Sequence, residues 1–121
     1  MTRILLADDD PDVRDYVANV LGTLPHASIR EVSSGEAAIA AIREEAFDLI
    51  VTDERMGAVD GVKVLNEARV LAPHARLVMI TAFPDFRLLE RAVNGAHVAK
   101  FLSKPFSPEQ LLDAVVPLLT A

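Results

Sequence analysis

Leu49-Ile50-Val51-Thr52-Asp53-Glu54-Arg55-Met56 is an apolar run that ends in a carboxylate just before Gly57. With Phe47 ahead of it, the run is typical of a strand buried on both faces, as in a parallel sheet covered by helices. The carboxyl ends of such strands border the crevice in which ligands bind. An isolated Asp at this place more often caps a turn. The rest of the chain decides whether Asp53 carries chemistry.

The composition is that of one ordinary globular domain, predicted to cover residues 1–121. Hydrophobic residues make up 51% and charged residues 25%, and there is no cysteine for a disulfide, a thiolate nucleophile or a Cys-based metal site. The formal net charge of -6, with no basic run, argues against direct binding to nucleic acid. The N-terminal apolar run is too short for a signal peptide or a membrane span, so we expect a cytoplasmic protein without membrane contact.

Strands and helices are predicted to alternate along the whole chain. The five predicted strands are Ile4–Ala7, Ser28–Val32, Phe47–Asp53, Leu77–Ile80 and Val98–Leu102. The five predicted helices cover about 11–22, 34–45, 62–71, 83–94 and 108 onward, and Pro117 is expected to kink the last one or end it early. Connections too long for hairpins require right-handed crossovers and therefore a three-layer α/β sandwich. At this size the commonest strand order is the flavodoxin-like 2-1-3-4-5.

Five polar residues follow four of these strands, and a parallel sheet would bring them to one edge. Asp8 and Asp9 follow the first strand, Asp53 the third, Thr81 the fourth and Lys104 the fifth. Three carboxylates packed together repel one another, so such a site either raises one pKa or binds a cation. Mg²⁺ prefers oxygen ligands and keeps several waters, so a few carboxylates and a loop carbonyl suffice. An ammonium and a hydroxyl beside a metal-loaded carboxylate can hold a phosphoryl group, which predicts an aspartyl phosphate.

These residues, in this order and spacing, resemble the receiver domain of two-component response regulators over essentially the whole chain. The resemblance is carried by Ile4-Leu5-Leu6-Ala7-Asp8-Asp9-Asp10-Pro11, Asp53-x-x-Met56, Asp60-Gly61, Ile80-Thr81-Ala82 and Phe101-Leu102-Ser103-Lys104-Pro105-Phe106. It implies that Asp53 is the phosphoacceptor. It also implies a Mg²⁺ site formed by Asp8, Asp9, Asp53 and the backbone carbonyl of Arg55, with Asp8 acting largely through water.

The resemblance further implies a switch around the phosphoryl group. Thr81, Ala82 and Lys104 would contact that group, Phe101 would turn inward, and the bond to Pro105 would be cis. The donor would be a sensor histidine kinase or a phosphotransfer protein. A homodimer partner or an effector would bind the surface of the fourth helix, fifth strand and fifth helix. Such a protein is a signalling switch that catalyses only its own phosphorylation and dephosphorylation.

Two alternatives stay open at the level of sequence. Asp8-x-Asp10 also resembles the nucleophile motif of haloacid-dehalogenase-like phosphatases, with Asp8 as the nucleophile, although Asp12 stands where Thr or Val is expected. A non-phosphorylated pseudo-receiver would serve purely as an interaction module, but such modules normally lack an active-site residue and none is missing here. One departure from the receiver pattern is Gly57, which stands where the family usually has Pro.

Overall fold

The computed structural model describes residues 1–82, 87, 90 and 98–119. Its strands are β1 (Thr2–Ala7), β2 (Ala27–Val32), β3 (Leu49–Asp53), β4 (Arg76–Thr81) and β5 (Lys100–Ser103). The helices with described bounds are α1 (Pro11–Leu21), α2 (Gly35–Glu44), α3 (Gly61–Leu71) and α4 (Pro108–Leu119). Helix α4 is the fifth helix of the sequence prediction. The fourth predicted helix, over 83–94, lies outside the described residues except for positions 87 and 90.

All five strands belong to one parallel sheet in the order β2-β1-β3-β4-β5, which confirms the predicted flavodoxin-like order. Because β1 and β3 are neighbours at the centre, residues that follow them meet at the same edge. The two outer strands are β2 and β5. Among the described helices, none has both the length and the apolar character needed to cross a bilayer.

The hydrophobic core lies on both faces of the sheet, as a three-layer sandwich requires. Every residue of β3 is buried, which agrees with the continuous apolar run in the sequence. Ile50 points into a cluster with residues of α2 and α3, and Val51 into a second cluster with residues of α1 and α4. The acids at the carboxyl ends of the central strands are therefore supported from both sides.

Side chains at the helix starts satisfy backbone N–H groups that have no partner inside the helix. The carboxylates of Asp10 and Asp60 and the hydroxyl of Ser34 accept such bonds at the starts of α1, α3 and α2. At the start of α4, Ser107 and Gln110 form a reciprocal pair, since each accepts a hydrogen bond from the backbone N–H of the other. These caps fix where each helix leaves the loop that carries site residues.

Several predicted boundaries differ from the structure by one or two residues, and β1, for example, begins at Thr2 rather than Ile4. Strand β3 begins at Leu49 rather than Phe47, because the side chain of Asp48 accepts the hydrogen bond from the N–H of Arg3 at 2.8 Å. Strand β5 begins at Lys100 rather than Val98. Of the two outcomes expected at Pro117, a kink or an early end of the last helix, the early end is wrong, because α4 continues through Pro117 to Leu119. Pro117 has no N–H to donate to the carbonyl of Asp113, so one helix hydrogen bond is missing, but Leu118 and Leu119, which follow it, pack against the core.

Candidate functional site

The carboxylates of Asp8, Asp9 and Asp53 meet at the carboxyl ends of β1 and β3. One oxygen of each lies within 4.8 Å of one oxygen of the other two. Asp53 is the last residue of β3 and Asp8 directly follows β1. The side chains differ in exposure, since Asp8 (1%) and Asp53 (7%) are buried whereas Asp9 is exposed. The strand order thus assembles an acidic cluster that is closed on one side and open to solvent at Asp9.

Asp8 is the most perturbed acid of the cluster. Its Oδ1 accepts a hydrogen bond from the N–H of Asp10 at 2.9 Å, but its buried Oδ2 has no hydrogen-bond partner among the described residues. Burial raises the pKa of Asp8 to about 6, aided by the charges of Asp53 and Asp9 and opposed by the Asp10 hydrogen bond and by Lys104. A buried carboxylate oxygen without a hydrogen bond is costly to keep ionised.

This donor set fits a hard divalent cation. Carboxylate oxygens are the ligands that Mg²⁺ and Ca²⁺ prefer, and a cation at the cluster would supply the partner that Asp8 Oδ2 lacks. Asp8, Asp9 and Asp53 are the residues that could hold it. Arg55 lies in the loop after β3 with an exposed side chain, and the assignment of its backbone carbonyl as a further ligand stays a prediction.

Lys104 brings an ammonium group to the acids. Its Nζ lies 2.9 Å from Asp53 Oδ1 and 3.8 Å from Asp8 Oδ2. Burial lowers the pKa of Lys104, but the hydrogen bond to Asp53 and the nearby carboxylates outweigh burial, so the net shift is upward. The group therefore stays charged at neutral pH. The backbone N–H of Lys104 donates to the carbonyl of Thr81 at 2.9 Å, and its bond to Pro105 is cis.

The remaining residues of the expected switch lie along β4 and β5. Thr81 is the last residue of β4 and is buried (1%), at the same edge as Asp53 because the preceding Ile80 pairs with Asp53 in the sheet. Ala82 follows it and is exposed. Phe101 lies in β5, is half-buried and packs against the core cluster on the α2 and α3 face. The structure thus brings Asp8, Asp9, Asp53 and Lys104 together at one edge of the sheet. Thr81 lies at the same edge, and Phe101 lies in the neighbouring strand β5.

Some contacts at the site were not anticipated from the sequence. Arg14 of α1 donates a hydrogen bond to the backbone carbonyl of Asp8 at 2.8 Å. The hydroxyl of Tyr16 donates to the carbonyl of Phe106 at 3.0 Å, across 90 positions of sequence. Gly61 approaches the backbone of Asp53 so closely that a Cβ would overlap it. Only Gly61 had a signal in the sequence, as part of the Asp60-Gly61 motif.

Comparisons with known proteins agree with this geometry. The family model described as the response regulator receiver domain matches residues 4–116. The response regulator receiver protein CpdR of Brucella abortus (strain 2308) is 31% identical over 121 residues, an alignment that covers 100% of this chain and 99% of CpdR. The response regulator protein FleR of Pseudomonas aeruginosa is 34% identical over 114 residues, which are 93% of this chain and 24% of FleR. The solved BeF3-activated DrrB receiver domain superposes with a TM-score of 0.90 at 25% identity, covering 100% of this chain and 99% of that one.

Proposed function

Because the chain belongs to the response regulator receiver family, we propose that Asp53 accepts a phosphoryl group in a Mg²⁺-dependent transfer. The observation that carries this proposal is the 2.9 Å contact between Lys104 Nζ and Asp53 Oδ1 beside two further acids. Positive groups fixed around an attacking carboxylate stabilise the charge that develops on a transferred phosphoryl group. Members of the family are signalling switches, and the proposed transfer is the input of such a switch.

Each side chain of the site has a separate task in this proposal. An oxygen of Asp53 forms a bond to phosphorus while the bond from phosphorus to the donor breaks, and the leaving group keeps that electron pair. The ammonium of Lys104 moves from Asp53 Oδ1 to a phosphoryl oxygen, and the hydroxyl of Thr81 and the backbone at Ala82 contact the others. Hydrolysis of the resulting acyl phosphate by water returns Asp53 to its carboxylate form. The chain thereby catalyses only its own phosphorylation and dephosphorylation.

The acidic cluster supplies the metal site of the proposal. Asp8, Asp9, Asp53 and the backbone carbonyl of Arg55 would hold Mg²⁺, in agreement with the oxygen donors and with an Asp8 Oδ2 that accepts no hydrogen bond among the described residues. When bound, Mg²⁺ would neutralise charge on the phosphoryl oxygens. The protein's own side chains orient Asp53 and keep water away from one face of the acidic cluster.

The donor in this proposal is a phosphohistidine of a sensor histidine kinase or of a phosphotransfer protein. Phosphorylation adds negative charge beside Lys104 and draws Thr81 toward the phosphoryl group, which leaves space for Phe101 to turn inward. The change would reach the surface formed by β5, α4 and the fourth predicted helix, of which only positions 87 and 90 belong to the described part of the chain. A homodimer partner or an effector would recognise that surface.

Asp8 is less suited than Asp53 to be a nucleophile, which disfavours the phosphatase alternative. Its Oδ1 already accepts a hydrogen bond from Asp10, and its pKa of about 6 leaves part of it protonated near neutral pH. Asp53 instead has an ammonium beside it to orient it. The family match over 4–116 supports the same choice.

Intact mass measured after incubation with Mg²⁺ and acetyl phosphate tests the proposal. The parent protein should gain one hydroxylamine-labile phosphoryl group and Asp53→Asn should gain none. The matched control is Asp48→Asn, an exposed acid directly before the other end of β3, which should behave as the parent does. Labelling of Asp53→Asn at the parent rate, with Asp8→Asn unlabelled, would instead favour the phosphatase alternative. A parent protein that gains no phosphoryl group would favour the pseudo-receiver.

A further inference from the structure

The loop that carries Lys104 begins at an edge strand with little support of its own. Strand β5 has four residues, pairs with β4 on one side, and has no fully buried residue. Beyond it, the N–H of Lys104 donates to the carbonyl of Thr81, and Pro105 has no N–H to donate. The next contact of the backbone determines how firmly the ammonium of Lys104 is held beside Asp53.

That contact is made by Tyr16 of α1. The hydroxyl of Tyr16 donates a hydrogen bond to the carbonyl of Phe106 at 3.0 Å, and the two rings lie 5.7 Å apart at 60°. A tilted arrangement at this separation is favourable for aromatic pairs. Helix α1 is itself anchored in the core by Val17 and Leu21, both fully buried. Tyr16 therefore connects the loop to a rigid part of the molecule.

The contact lies at the margin of the core, since Phe106 is partly buried and packs against the cluster on the α1 and α4 face. Tyr16 is 38% exposed, and beside it lies an open apolar cleft of about 300 Å³. The cleft is lined by Asp12, Val13, Tyr16, Lys104, Pro105 and Phe106. Phe106 therefore has packing on one side and the cleft on the other, and the Tyr16 hydrogen bond is a directed contact that fixes the position of its carbonyl. Farther along, the Ser107–Gln110 pair fixes the start of α4 but not the carbonyl of Phe106.

We propose that Tyr16 is a positioning residue for Lys104: its hydrogen bond to Phe106 holds the loop so that the ammonium lies beside Asp53. The hydrogen bond and the ring contact of Tyr16 are both made to Phe106, two residues after Lys104, so we expect its effect to pass through the loop that carries Lys104. This inference deepens the proposed function and rests on it for the kinetic readout. A second readout, on the side chain of Lys104, does not depend on phosphorylation.

The kinetic test is a double-mutant cycle between Tyr16→Phe and Lys104→Ala. Tyr16→Phe removes the hydroxyl and keeps the ring. Loss of one hydrogen bond predicts that phosphorylation by acetyl phosphate slows roughly three- to tenfold in the parent background. In the Lys104→Ala background the same substitution should have no effect. A purely structural role would slow both backgrounds equally, and that outcome would overturn the proposal, as would no slowing in either.

The matched control is Thr23→Val, which removes another side-chain hydroxyl that donates to a backbone carbonyl near α1. Thr23 Oγ1 bonds to the carbonyl of Val20 at 2.6 Å, at the end of the helix away from Lys104. Thr23→Val should leave the phosphorylation rate at the parent value. Slowing by Thr23→Val as large as that by Tyr16→Phe would show that any weakening of α1 has this effect and would overturn the proposal.

The second readout is the NMR signal of the Lys104 ammonium in protein made with isotopically labelled lysine. The chain has only Lys63 and Lys100 besides Lys104, so the signal is assigned by its loss in Lys104→Arg. Tyr16→Phe should speed the exchange of the ammonium protons with water, because the group would spend less time bonded to Asp53. Unchanged exchange would refute the positioning role even if the parent is phosphorylated. Faster exchange in a protein that is never phosphorylated would support the positioning role while the proposed function fails.

Discussion

A Cβ atom at position 61 would lie 2.2 Å from the backbone carbonyl oxygen of Asp53, so only glycine fits where the first turn of α3 crosses the end of β3. The N–H of Gly61 also donates to the carbonyl of Glu54 at 2.9 Å. The helix start and the residue that carries the proposed chemistry are thereby locked together through backbone atoms. Neither can shift without the other.

Gly61→Ala should therefore lower the free energy of unfolding by about 2–3 kcal/mol, since backbone atoms must move to admit the methyl group. Urea unfolding of the purified variant measures this. The control is Gly22→Ala, where φ is -66° and a Cβ would come no nearer than 3.1 Å to a backbone oxygen. That substitution should change stability by less than about 1 kcal/mol. Equal costs at the two positions would contradict the close approach.

Asp8 should make stability depend on pH in the absence of metal. Its pKa is raised from 3.8 to about 6 in the folded protein, so the folded state holds a proton that the unfolded chain has released. Stability is therefore highest below about pH 4 for this group and falls by roughly 2–3 kcal/mol as the pH rises through about 6. Asp8→Asn should gain that amount over the parent at about pH 7.5 and not at about pH 4. Urea unfolding in EDTA at both pH values checks the sign, and a difference that is the same at both would contradict it.

Mg²⁺ should stabilise the folded protein through the acidic cluster. A ligand that binds only the folded state at about 100 times its Kd adds about 2.7 kcal/mol to the free energy of unfolding. Thermal unfolding with and without Mg²⁺ should show a rise in Tm for the parent and little or none for Asp9→Asn. Asp12→Asn, which removes an exposed acid in the first turn of α1, should keep the full rise. If Asp9→Asn responds as Asp12→Asn does, Asp9 is not a ligand.

Lys104→Met should change metal binding and phosphorylation in opposite directions. The ammonium lies 2.9 Å from Asp53 and 3.8 Å from Asp8, so it competes with a divalent cation for the same carboxylates. Its removal should strengthen Mg²⁺ binding by roughly tenfold, a value reduced from the full Coulomb energy because the side chain is 23% exposed. Titration calorimetry measures this affinity. The exposed Lys100→Met at the start of β5 is the control and should leave it unchanged.

The same Lys104→Met protein should be phosphorylated more slowly, because a charge that stabilises the transferred group is lost. Tighter Mg²⁺ binding with slower phosphorylation separates this role from general damage to the fold. Weaker Mg²⁺ binding in Lys104→Met would show that the ammonium organises the acids rather than competing for them.

The meeting of Asp8, Asp53 and Lys104 could be predicted from the sequence because it depends on strand topology. Parallel strands place their carboxyl ends at one edge whatever the details of packing, so a residue that ends a strand has its position set by the strand order. The contact between Tyr16 and Phe106 has no such rule behind it. It depends on the path of a loop after an edge strand, which no local pattern specifies.

Local signals also failed where tertiary packing outweighs them. Pro117 indicates a helix end by its own chemistry, yet Leu118 and Leu119 continue the helix because they pack against the core. Gly61 entered the sequence analysis only as part of the Asp60-Gly61 motif, and the motif does not show that a Cβ there would overlap the backbone of Asp53. In each case the structure depends on a contact with residues distant in sequence or on how the helices pack against the sheet.

The acids and the ammonium of the site belong to parts of the sheet with very different support. Asp8 and Asp53 extend from the two central strands, while Lys104 follows the short outer strand β5. Amide hydrogens of β1 and β3 should exchange with solvent only when the whole domain unfolds, whereas those of β5 should exchange through local opening. Asp53 and the acids around it would then keep their positions during local openings in which the ammonium of Lys104 moves away from Asp53. The lifetime of an acyl phosphate on Asp53 would therefore depend on how often β5 opens.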